Sequence, residues 1–314
     1  MSMNAHACTL PGHPAINAFF EEVQLSTLKW VQRFDLAPQF KPMGWYTKAQ
    51  FGLQAAREYP NATFNELCLA GDLLTWLFTV DDTCDRGSAG AEAAVEMKSM
   101  LHEFINILED KRKPSENNLS IGLVNVMERF RAISTPYLYR QLCRHMIDYL
   151  NECFFEIDMQ LNNYVPSIAK YFEIRPFGGF YIMFPLVAIF EKLKLPAEVY
   201  EHEIVREIEL ILNLLGCFSN DLHSAEREKN LDTIGFNLIF IAQRELNLSY
   251  EAATQYVKDY HAAYLLRLEH CLSQIPFWGK STNTRLDLYL DGLYTMVRGY
   301  DDWAVIDTGR YKSA

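Results

Sequence analysis

The stretch TFNELCLAGDLLTWLFTVDDTCD, residues 63–85, is a long helical pattern that ends in three acidic side chains. Apolar residues precede Asp81 by three, four and seven positions, namely Phe78, Leu77 and Leu74. These spacings place residues on one face of an α-helix, and Asp85 lies one further turn along. The acidic side chains therefore continue a stripe that we expect to face the interior of the protein.

Acidic side chains on an interior face need a neutralising partner. A buried carboxylate costs several kcal/mol unless it is paired, and here Asp81, Asp82 and Asp85 lie close together. Hard cations such as Mg²⁺ take oxygen ligands, usually one or two carboxylates together with substrate phosphates. The cluster therefore indicates a divalent-cation site, although a solvated acidic helix end is an alternative interpretation of this cluster alone.

The composition favours one large domain. Hydrophobic residues make up 49% and aromatic residues 13% of the 314 residues, which is enough for a large core. The 12 prolines and 15 glycines are scattered, so no Gly/Ser-rich or Pro-rich tract divides the chain. We therefore expect residues 1–314 to form a single α-helical domain, with irregular tails at 1–15 and 312–314.

Helical periodicity covers most of the chain, and convincing strand alternation is absent. Pro176-Phe177-Gly178-Gly179 marks a break between two helices. The predicted fold class is an all-α bundle of roughly a dozen helices. The predicted helices cover about 16–34, 46–58, 63–84, 90–111, 119–133, 136–163, 166–174, 180–193, 196–229, 231–246, 249–273 and 282–300.

Charge and cysteine content narrow the classes of function. The formal net charge is −11, whereas nucleic-acid binding needs a basic surface, so no nucleic-acid partner is expected. The seven cysteines are odd in number and none has CxxC spacing, which is typical of reduced thiols in the cytoplasm. The chain begins without a signal-peptide pattern, and its longest apolar stretch, 180–190, is too short for membrane insertion.

A second polar cluster lies in the sequence NDLHSAERE, residues 220–228. Asn220, Ser224 and Glu228 recur every four positions, so they share one face of a helix and offer amide, hydroxyl and carboxylate oxygens. The face just upstream is small or polar, at Asn213, Gly216 and Cys217. Such a face leaves room for a ligand, although an exposed polar helix face is the alternative interpretation.

The two clusters complement each other chemically. A diphosphate that is bridged by several Mg²⁺ ions between the two helices would satisfy the carboxylates of one and the mixed oxygens of the other. Cations and protein donors around a departing anion stabilise it as a leaving group. The pair of clusters therefore predicts a site for an organic diphosphate.

From about residue 45 to 311, the chain resembles the bacterial class I terpene synthases, the terpene cyclases. Trp76-Leu77-Phe78 is similar to the lead-in of the aspartate-rich motif, which is matched by Asp81, Asp82 and Asp85. The second metal motif of that family, ND(L/I/V)xSxxKE, is matched with Arg in place of Lys by Asn220, Asp221, Ser224, Arg227 and Glu228.

The resemblance extends to residues that bind diphosphate in this family. An arginine that senses the diphosphate usually lies some 45 residues before the motif asparagine, and Arg175 lies there, since 220 − 175 = 45. The C-terminal Arg-Tyr pair of the family is matched by Arg310-Tyr311. Gly178-Gly179 departs from the family pattern, which often has Asp-Gly, and the spacing from Trp303 to Arg310 is one residue longer than we expect.

The resemblance implies a class I terpenoid synthase-like helical bundle around a central active-site cavity. It also implies a carbon–oxygen lyase that ionises a polyprenyl diphosphate, most often farnesyl diphosphate, and cyclises the carbocation to a sesquiterpene while releasing diphosphate. Three Mg²⁺ ions are expected, with Mn²⁺ as a substitute ion. The implied metal ligands are Asp81, Asp82, Asp85, Asn220, Ser224 and Glu228. The implied diphosphate donors are Arg175, Arg227, Arg310 and Tyr311.

The implied catalytic residues are Arg175, Gly179, Phe78 and Trp303. Aromatic faces stabilise positive charge without reacting with it readily, which is the role expected of Phe78 and Trp303. Further aromatic candidates, each also explained by ordinary core packing, are Phe154, Phe155, Phe177 and Phe180. His223 lies inside the second motif, and a surface or indirect position is expected for it.

Several alternatives stay open at this point. Geranylgeranyl diphosphate, and hence a diterpene cyclase, is the alternative substrate. A chain-elongating prenyltransferase would need a second aspartate-rich motif, and Asp301-Asp302 lies too near the C-terminus and lacks a third acid. A non-catalytic isoprenoid-binding protein would need the cavity without the ion set. The protein is expected to be a monomer or a homodimer.

Overall fold

The computed structural model describes residues 10, 12, 14–37, 40–84, 90–111, 116–229 and 235–311, and all structural statements concern these residues. Within them the chain is built of α-helices, a 3₁₀ turn at Phe180–Ile182 and a π-helical turn at Trp303–Asp307. The α-helices are α1 Phe20–Arg33, α2 Met43–Ala49, α3 Phe51–Glu58, α4 Phe64–Cys84, α5 Ala91–Leu108, α6 Asn118–Ile133, α7 Pro136–Leu161, α8 Ile168–Ile174, α9 Phe184–Phe190, α10 Ala197–Tyr200, α11 Glu203–Lys229, α12 Leu238–Glu245, α13 Tyr250–Ser273 and α14 Lys280–Asp302.

Side chains that accept hydrogen bonds from backbone N–H groups begin several of these helices. Asn117 caps α6, and Thr135 caps α7 by accepting from Leu138 N, with Pro136 in the first turn. Ser167 caps α8 in the same way. These residues satisfy N–H groups that have no partner inside the helix, so the predicted starts of the helices agree closely with the observed ones.

Three predicted helices are divided in the structure. The helix predicted at 46–58 is wrong as one element, because Gln50 adopts a left-handed conformation with φ 59° and ψ 49° between α2 and α3. The helix predicted at 180–193 is a 3₁₀ turn followed by α9, and the one predicted at 196–229 is divided into α10 and α11. Residues 1–9, 11, 13 and 312–314 of the predicted tails, and 231–234 of a predicted helix, lie outside the described residues.

Helix α4 is buried on all sides, and α1, α3, α6 and α7 contact it. Trp76 is fully buried in α4, and its indole N–H donates to Leu119 O at 2.9 Å. Helix α11 packs against α13 and α14. The two predicted motifs therefore lie on long helices that the core holds rigidly. No described helix is both long enough and apolar enough to cross a membrane.

Candidate active site

Both predicted motifs lie on the walls of one cavity of about 1210 Å³, a volume that includes its open mouth. Asp81 lines it from α4, and α11 contributes Asn220, Ser224 and Glu228. Further walls come from α3, α7, α14 and the segment 175–183. The structure therefore brings together side chains that lie 139 to 147 positions apart in the chain, since 220 − 81 = 139 and 228 − 81 = 147.

The two neighbouring aspartates of α4 have different surroundings. Asp82 is 6% exposed and accepts two hydrogen bonds from the guanidinium of Arg310. Two further cations lie close to its carboxylate oxygens, Lys41 Nζ at 3.1 Å and Arg227 Nη1 at 3.5 Å. Burial alone would raise the pKa of Asp82, but the charges of Arg310, Arg227 and Lys41 lower it below its ordinary value. Asp81 lines the cavity, and its nearest cation is Arg310, with Nη2 at 3.7 Å. Asp85 lies outside the described residues.

Hydrogen bonds from neighbouring side chains hold the three oxygen-bearing residues of α11. Asn220 accepts from Arg175 Nη2 at 2.8 Å and donates to Tyr300 Oη at 2.7 Å. Asn237 Nδ2 is 3.0 Å from Glu228 Oε2 and 3.4 Å from Ser224 Oγ. These bonds orient the three side chains before any ligand arrives.

Arg175 is buried at the end of α8, where three acceptors hold its guanidinium. Nη2 donates to Asp221 Oδ1 at 3.1 Å and to Asn220, and Nη1 donates to Gly178 O at 3.3 Å. Asp221 also accepts from Tyr171 Oη and from Leu238 N, each at 2.8 Å. Asp221 follows Asn220 on α11, and its carboxylate binds Arg175 while two further donors hold that carboxylate in place.

Gly178 is the first residue of the Gly-Gly pair that departs from the expected Asp-Gly. A Cβ atom at this position would lie 2.5 Å from Glu152 Oε1, so the carboxyl group of Glu152 on α7 occupies the space of the missing side chain. Burial raises the pKa of Glu152 well above its ordinary value, against the opposing charge of Arg175. The link between Arg175 and the helix break is therefore made by the backbone carbonyl of Gly178, with Glu152 beside it.

Gly179 lines the cavity at the same break and is required by close packing. A Cβ atom there would lie 2.3 Å from Asn213 Oδ1 and 2.6 Å from Cys217 Sγ. Asn213 is fully buried, donates to Pro176 O at 2.8 Å and accepts from Phe180 N. The amide of Asn213 thus fixes both sides of the break, which explains why a polar residue lies on the inner face of α11.

The donor groups on these walls suit a cation and an anion together. Asp81, Asn220, Ser224 and Glu228 offer the oxygen types that hard divalent cations prefer. Within the described ranges, no three His, Cys, Asp or Glu side chains lie close enough to hold a metal by themselves. The Nε atoms of Arg227 and Arg310 are buried without an acceptor in the described chain, which leaves N–H groups for an anion.

The comparison with known families agrees with this chemistry. Residues 72–266 match the sequence model of a family described as terpene synthase family 2, C-terminal metal binding. The chain belongs to this terpene synthase family. The expected membership of the bacterial class I terpene synthases is confirmed, and the protein is a carbon–oxygen lyase with a metal cofactor.

Relatives of the synthase cover nearly its whole length. Germacrene A synthase of Nostoc punctiforme is 26% identical over 298 residues, which cover 94% of this chain and 91% of the relative. A (+)-T-muurolol synthase of Roseiflexus castenholzii is 27% identical, with coverage of 95% and 91%. The solved linalool/nerolidol synthase from Streptomyces clavuligerus is 20% identical, covers 96% and 99% of the two chains and has a TM-score of 0.83. The predicted all-α fold class is confirmed.

The aromatic candidates of the synthase fall into two groups. Phe78 and Phe180 line the cavity, and Phe78 stacks on Phe51 with ring centroids 4.7 Å apart. Trp303 does not line it: the indole is fully buried 5.8 Å behind the ring of Phe78 and donates to Ala49 O at 3.0 Å. Phe154, Phe155 and Phe177 are also absent from the lining. His223 faces Asp301, with Nε2 2.7 Å from Oδ1.

Several side chains at the site were not found from the sequence. Asn237 binds Ser224 and Glu228, Glu152 lies beside Gly178, and further aromatic lining comes from Tyr149, Phe236 and Tyr300. Asp221 was visible inside the second motif, but its spacing from Asn220 did not reveal that it binds Arg175. Asn237 and Glu152 carried no signal, because their contacts depend on how distant segments pack.

Proposed function

We propose that the synthase is a Mg²⁺-dependent cyclase that ionises farnesyl diphosphate, closes the carbocation to a sesquiterpene and releases diphosphate. The observation that carries the proposal is one cavity with a polar end, built by Asp81 and Asn220 with their neighbours, and an apolar wall that includes Leu74 and Leu77. The Roseiflexus relative is named as a (2E,6E)-farnesyl diphosphate cyclizing enzyme, which favours a fifteen-carbon substrate here.

Four side chains would bind the diphosphate. Arg175, Arg227, Arg310 and Tyr311 all line the cavity at its polar end. Arginine suits this task because its planar fork of N–H groups matches phosphate oxygens. The carboxylates of Asp221 and Asp82 hold two of the arginines in place before the substrate binds, so little reorganisation is needed when negative charge develops on the leaving group.

Asp81 on α4 and Asn220, Ser224 and Glu228 on α11 would hold the metal. Three Mg²⁺ ions are proposed, with Asp85 as an additional ligand and Mn²⁺ as a substitute ion. Ions held by these residues would supply positive charge that stabilises the leaving diphosphate. We place Asp82 with the positioning residues, because three cationic side chains already surround its carboxylate.

The apolar wall would receive the cation. Phe78, Phe180 and Tyr149 present rings to the cavity, and an aromatic face stabilises positive charge electrostatically. Trp303 and Phe51 pack behind Phe78 and keep its ring in place. Gly179 leaves its backbone on the cavity wall beside Phe180. These side chains would thereby fold the substrate within the cavity.

Product analysis tests the proposal directly. The purified synthase is incubated with Mg²⁺ and, separately, with prenyl diphosphates of ten, fifteen and twenty carbons, and the extracts are analysed by gas chromatography with mass detection. We expect a fifteen-carbon cyclic product from farnesyl diphosphate alone. Cyclic products from the twenty-carbon substrate alone would identify a diterpene cyclase, and turnover that requires two prenyl substrates would identify chain elongation.

A further inference from the structure

The ring of Phe180 lies between the cavity and helix α11. Phe180 begins the 3₁₀ turn and lines the cavity. Its ring rests on Gly216, one helical turn before Asn220, because a Cβ atom at position 216 would lie 2.5 Å from Cε2 and 2.6 Å from Cδ2 of Phe180. The ring therefore occupies the space that a side chain at position 216 would need.

The backbone of Phe180 is tied to the same helix as Gly216. Phe180 N donates to Asn213 Oδ1, and the amide of Asn213 also donates to Pro176 O at 2.8 Å. Asn213 is fully buried on α11, so these two bonds hold the chain on both sides of the helix break. The Cα atom that carries the ring of Phe180 therefore has little freedom to move away from α11.

Tyr300 of α14 limits the ring of Phe180 on a second side. The two rings meet edge to face with their centroids 4.9 Å apart, and Tyr300 is 2% exposed. Tyr300 Oη accepts from Asn220 Nδ2 at 2.7 Å and lies 3.2 Å from Tyr311 Oη, so these hydrogen bonds hold the ring of Tyr300 in place. Open space for the ring of Phe180 lies on the side of the cavity.

Resting on the proposed cyclase function, we propose that Gly216 determines the specificity of the synthase by setting how far the ring of Phe180 projects into the cavity. Contacts of a Cβ atom are ordinary from 3.4 Å, so Gly216→Ala would move the ring by about 0.9 Å, and the open direction is into the cavity. Gly216 does not line the cavity itself. It acts through Phe180, which does.

The place of this ring along the cavity explains the consequence for the product. Phe180 lies two residues after Gly178, whose carbonyl accepts from Arg175, so the ring lies where the polar end of the cavity meets the apolar wall. The cationic carbon forms at this junction, because it is the carbon that carries the diphosphate. Ring closure needs a distant double bond to fold back to the same carbon, and a folded chain is wider there than an extended one.

A ring of Phe180 that projects further would therefore exclude the folded chain before the extended one. The extended cation ends as an acyclic alkene. A proton moves from the carbon beside the cationic carbon to an oxygen of the released diphosphate, and the electron pair of that C–H bond forms the new double bond. The ratio of cyclic to acyclic product thus reports the position of the ring.

Product ratios in a double-mutant cycle test the inference, with the prenyl diphosphate that the wild-type synthase cyclises. Gly216→Ala should lower the ratio of cyclic to acyclic product at least about tenfold, since one carbon atom in an apolar pocket discriminates by about 10-fold to 200-fold. In the Phe180→Ala background the same substitution should leave the ratio unchanged, because the ring atoms that the new Cβ would meet are absent.

Gly292→Ala is the matched control. A Cβ atom at position 292 would lie 2.3 Å from Val187 Cγ1, so the substitution creates a similar clash, but neither residue lines the cavity. Gly292→Ala should therefore leave the product ratio unchanged even where it destabilises the fold. A fall of the ratio in this variant equal to that in Gly216→Ala would contradict a specific effect of Gly216.

A crystal structure of Gly216→Ala gives an answer that does not depend on turnover. We expect the ring of Phe180 to be displaced into the cavity by about 0.9 Å or more. A ring that keeps its wild-type place, an unchanged product ratio in folded Gly216→Ala, or an equal fall of the ratio in the Phe180→Ala background would each overturn the inference. Failure of the wild-type synthase to form a cyclic product from any prenyl diphosphate would instead overturn the proposed function itself.

Discussion

The acidic cluster of α4 and the mixed cluster of α11 use oxygen atoms in different ways. Asp81 and Asp82 are adjacent, so the helix points them about 100° apart, and the structure gives one to the cavity and the other to three cations. Asn220, Ser224 and Glu228 are four positions apart, and all three line the cavity. The spacing of the donors, more than the number of acids, therefore decides which oxygens face the cavity.

The largest effect should come from the cavity-facing acid of α4. Asp81→Asn removes the carboxylate that we propose for the metal, and kcat/KM should fall on the order of 10³-fold, because a bound metal contributes several kcal/mol to leaving-group stabilisation. Steady-state kinetics with farnesyl diphosphate measure this, and circular dichroism confirms that the variant is folded. Activity within about tenfold of wild type would remove Asp81 from the ligand set.

The next largest effect should be on the stability of the fold, through the neighbouring Asp82. Asp82→Asn leaves the buried charges of Arg310 and Lys41 without their anion, and the free energy of unfolding should fall by about 3 kcal/mol at pH 7. Urea denaturation measures the loss. Asp81→Asn is the matched control and should change the unfolding free energy by less than about 0.5 kcal/mol.

The stability of Asp82 variants should also depend on pH in a defined direction. The pKa of Asp82 is lowered in the folded state from its ordinary value of 3.8, so its contribution is complete above about pH 4 and is lost as the pH falls through the lowered value. The difference between wild type and Asp82→Asn should therefore shrink in acid. A difference that stays constant as the pH falls from about 4 toward the lowered pKa would contradict the ion pairs described here.

A substitution in the mixed cluster of α11 should weaken the affinity of the synthase for Mg²⁺. Asn220→Ala removes one proposed ligand oxygen and the contacts to Arg175 and Tyr300. The Mg²⁺ concentration for half-maximal rate should rise about 10-fold to 100-fold. Asn162→Ala, an exposed amide on the end of α7, serves as the control. An unchanged Mg²⁺ titration would mean that α11 does not bind the ion.

The smallest effect is expected at Gly178, whose carbonyl accepts a hydrogen bond from Arg175. Gly178→Asp places a side chain where the Glu152 carboxyl lies, so it should destabilise the synthase by about 1–3 kcal/mol. Combining it with Glu152→Ala should restore part of this loss, with a coupling energy above about 0.5 kcal/mol in a double-mutant cycle. Purely additive effects would show that Glu152 does not occupy the space of a side chain at position 178.

Local patterns were sufficient to predict the helices and the two motifs. Caps such as Thr135, and the break at residues 176–179, are properties of short segments, and so are the spacings within each motif. The left-handed Gln50, the burial of Trp303 behind Phe78 and the pairing of Asp82 with Arg310 depend on packing between distant segments.

The central claim is that Asp81 and the α11 cluster hold ions on the same diphosphate. A crystal structure of the wild-type synthase with Mn²⁺ and inorganic diphosphate, using the anomalous signal of manganese, tests it most directly. We expect anomalous peaks beside Asp81 and beside Asn220, Ser224 and Glu228, with one diphosphate bridging them and contacted by Arg175. Peaks on one helix alone, or a diphosphate bound away from both helices, would contradict the account.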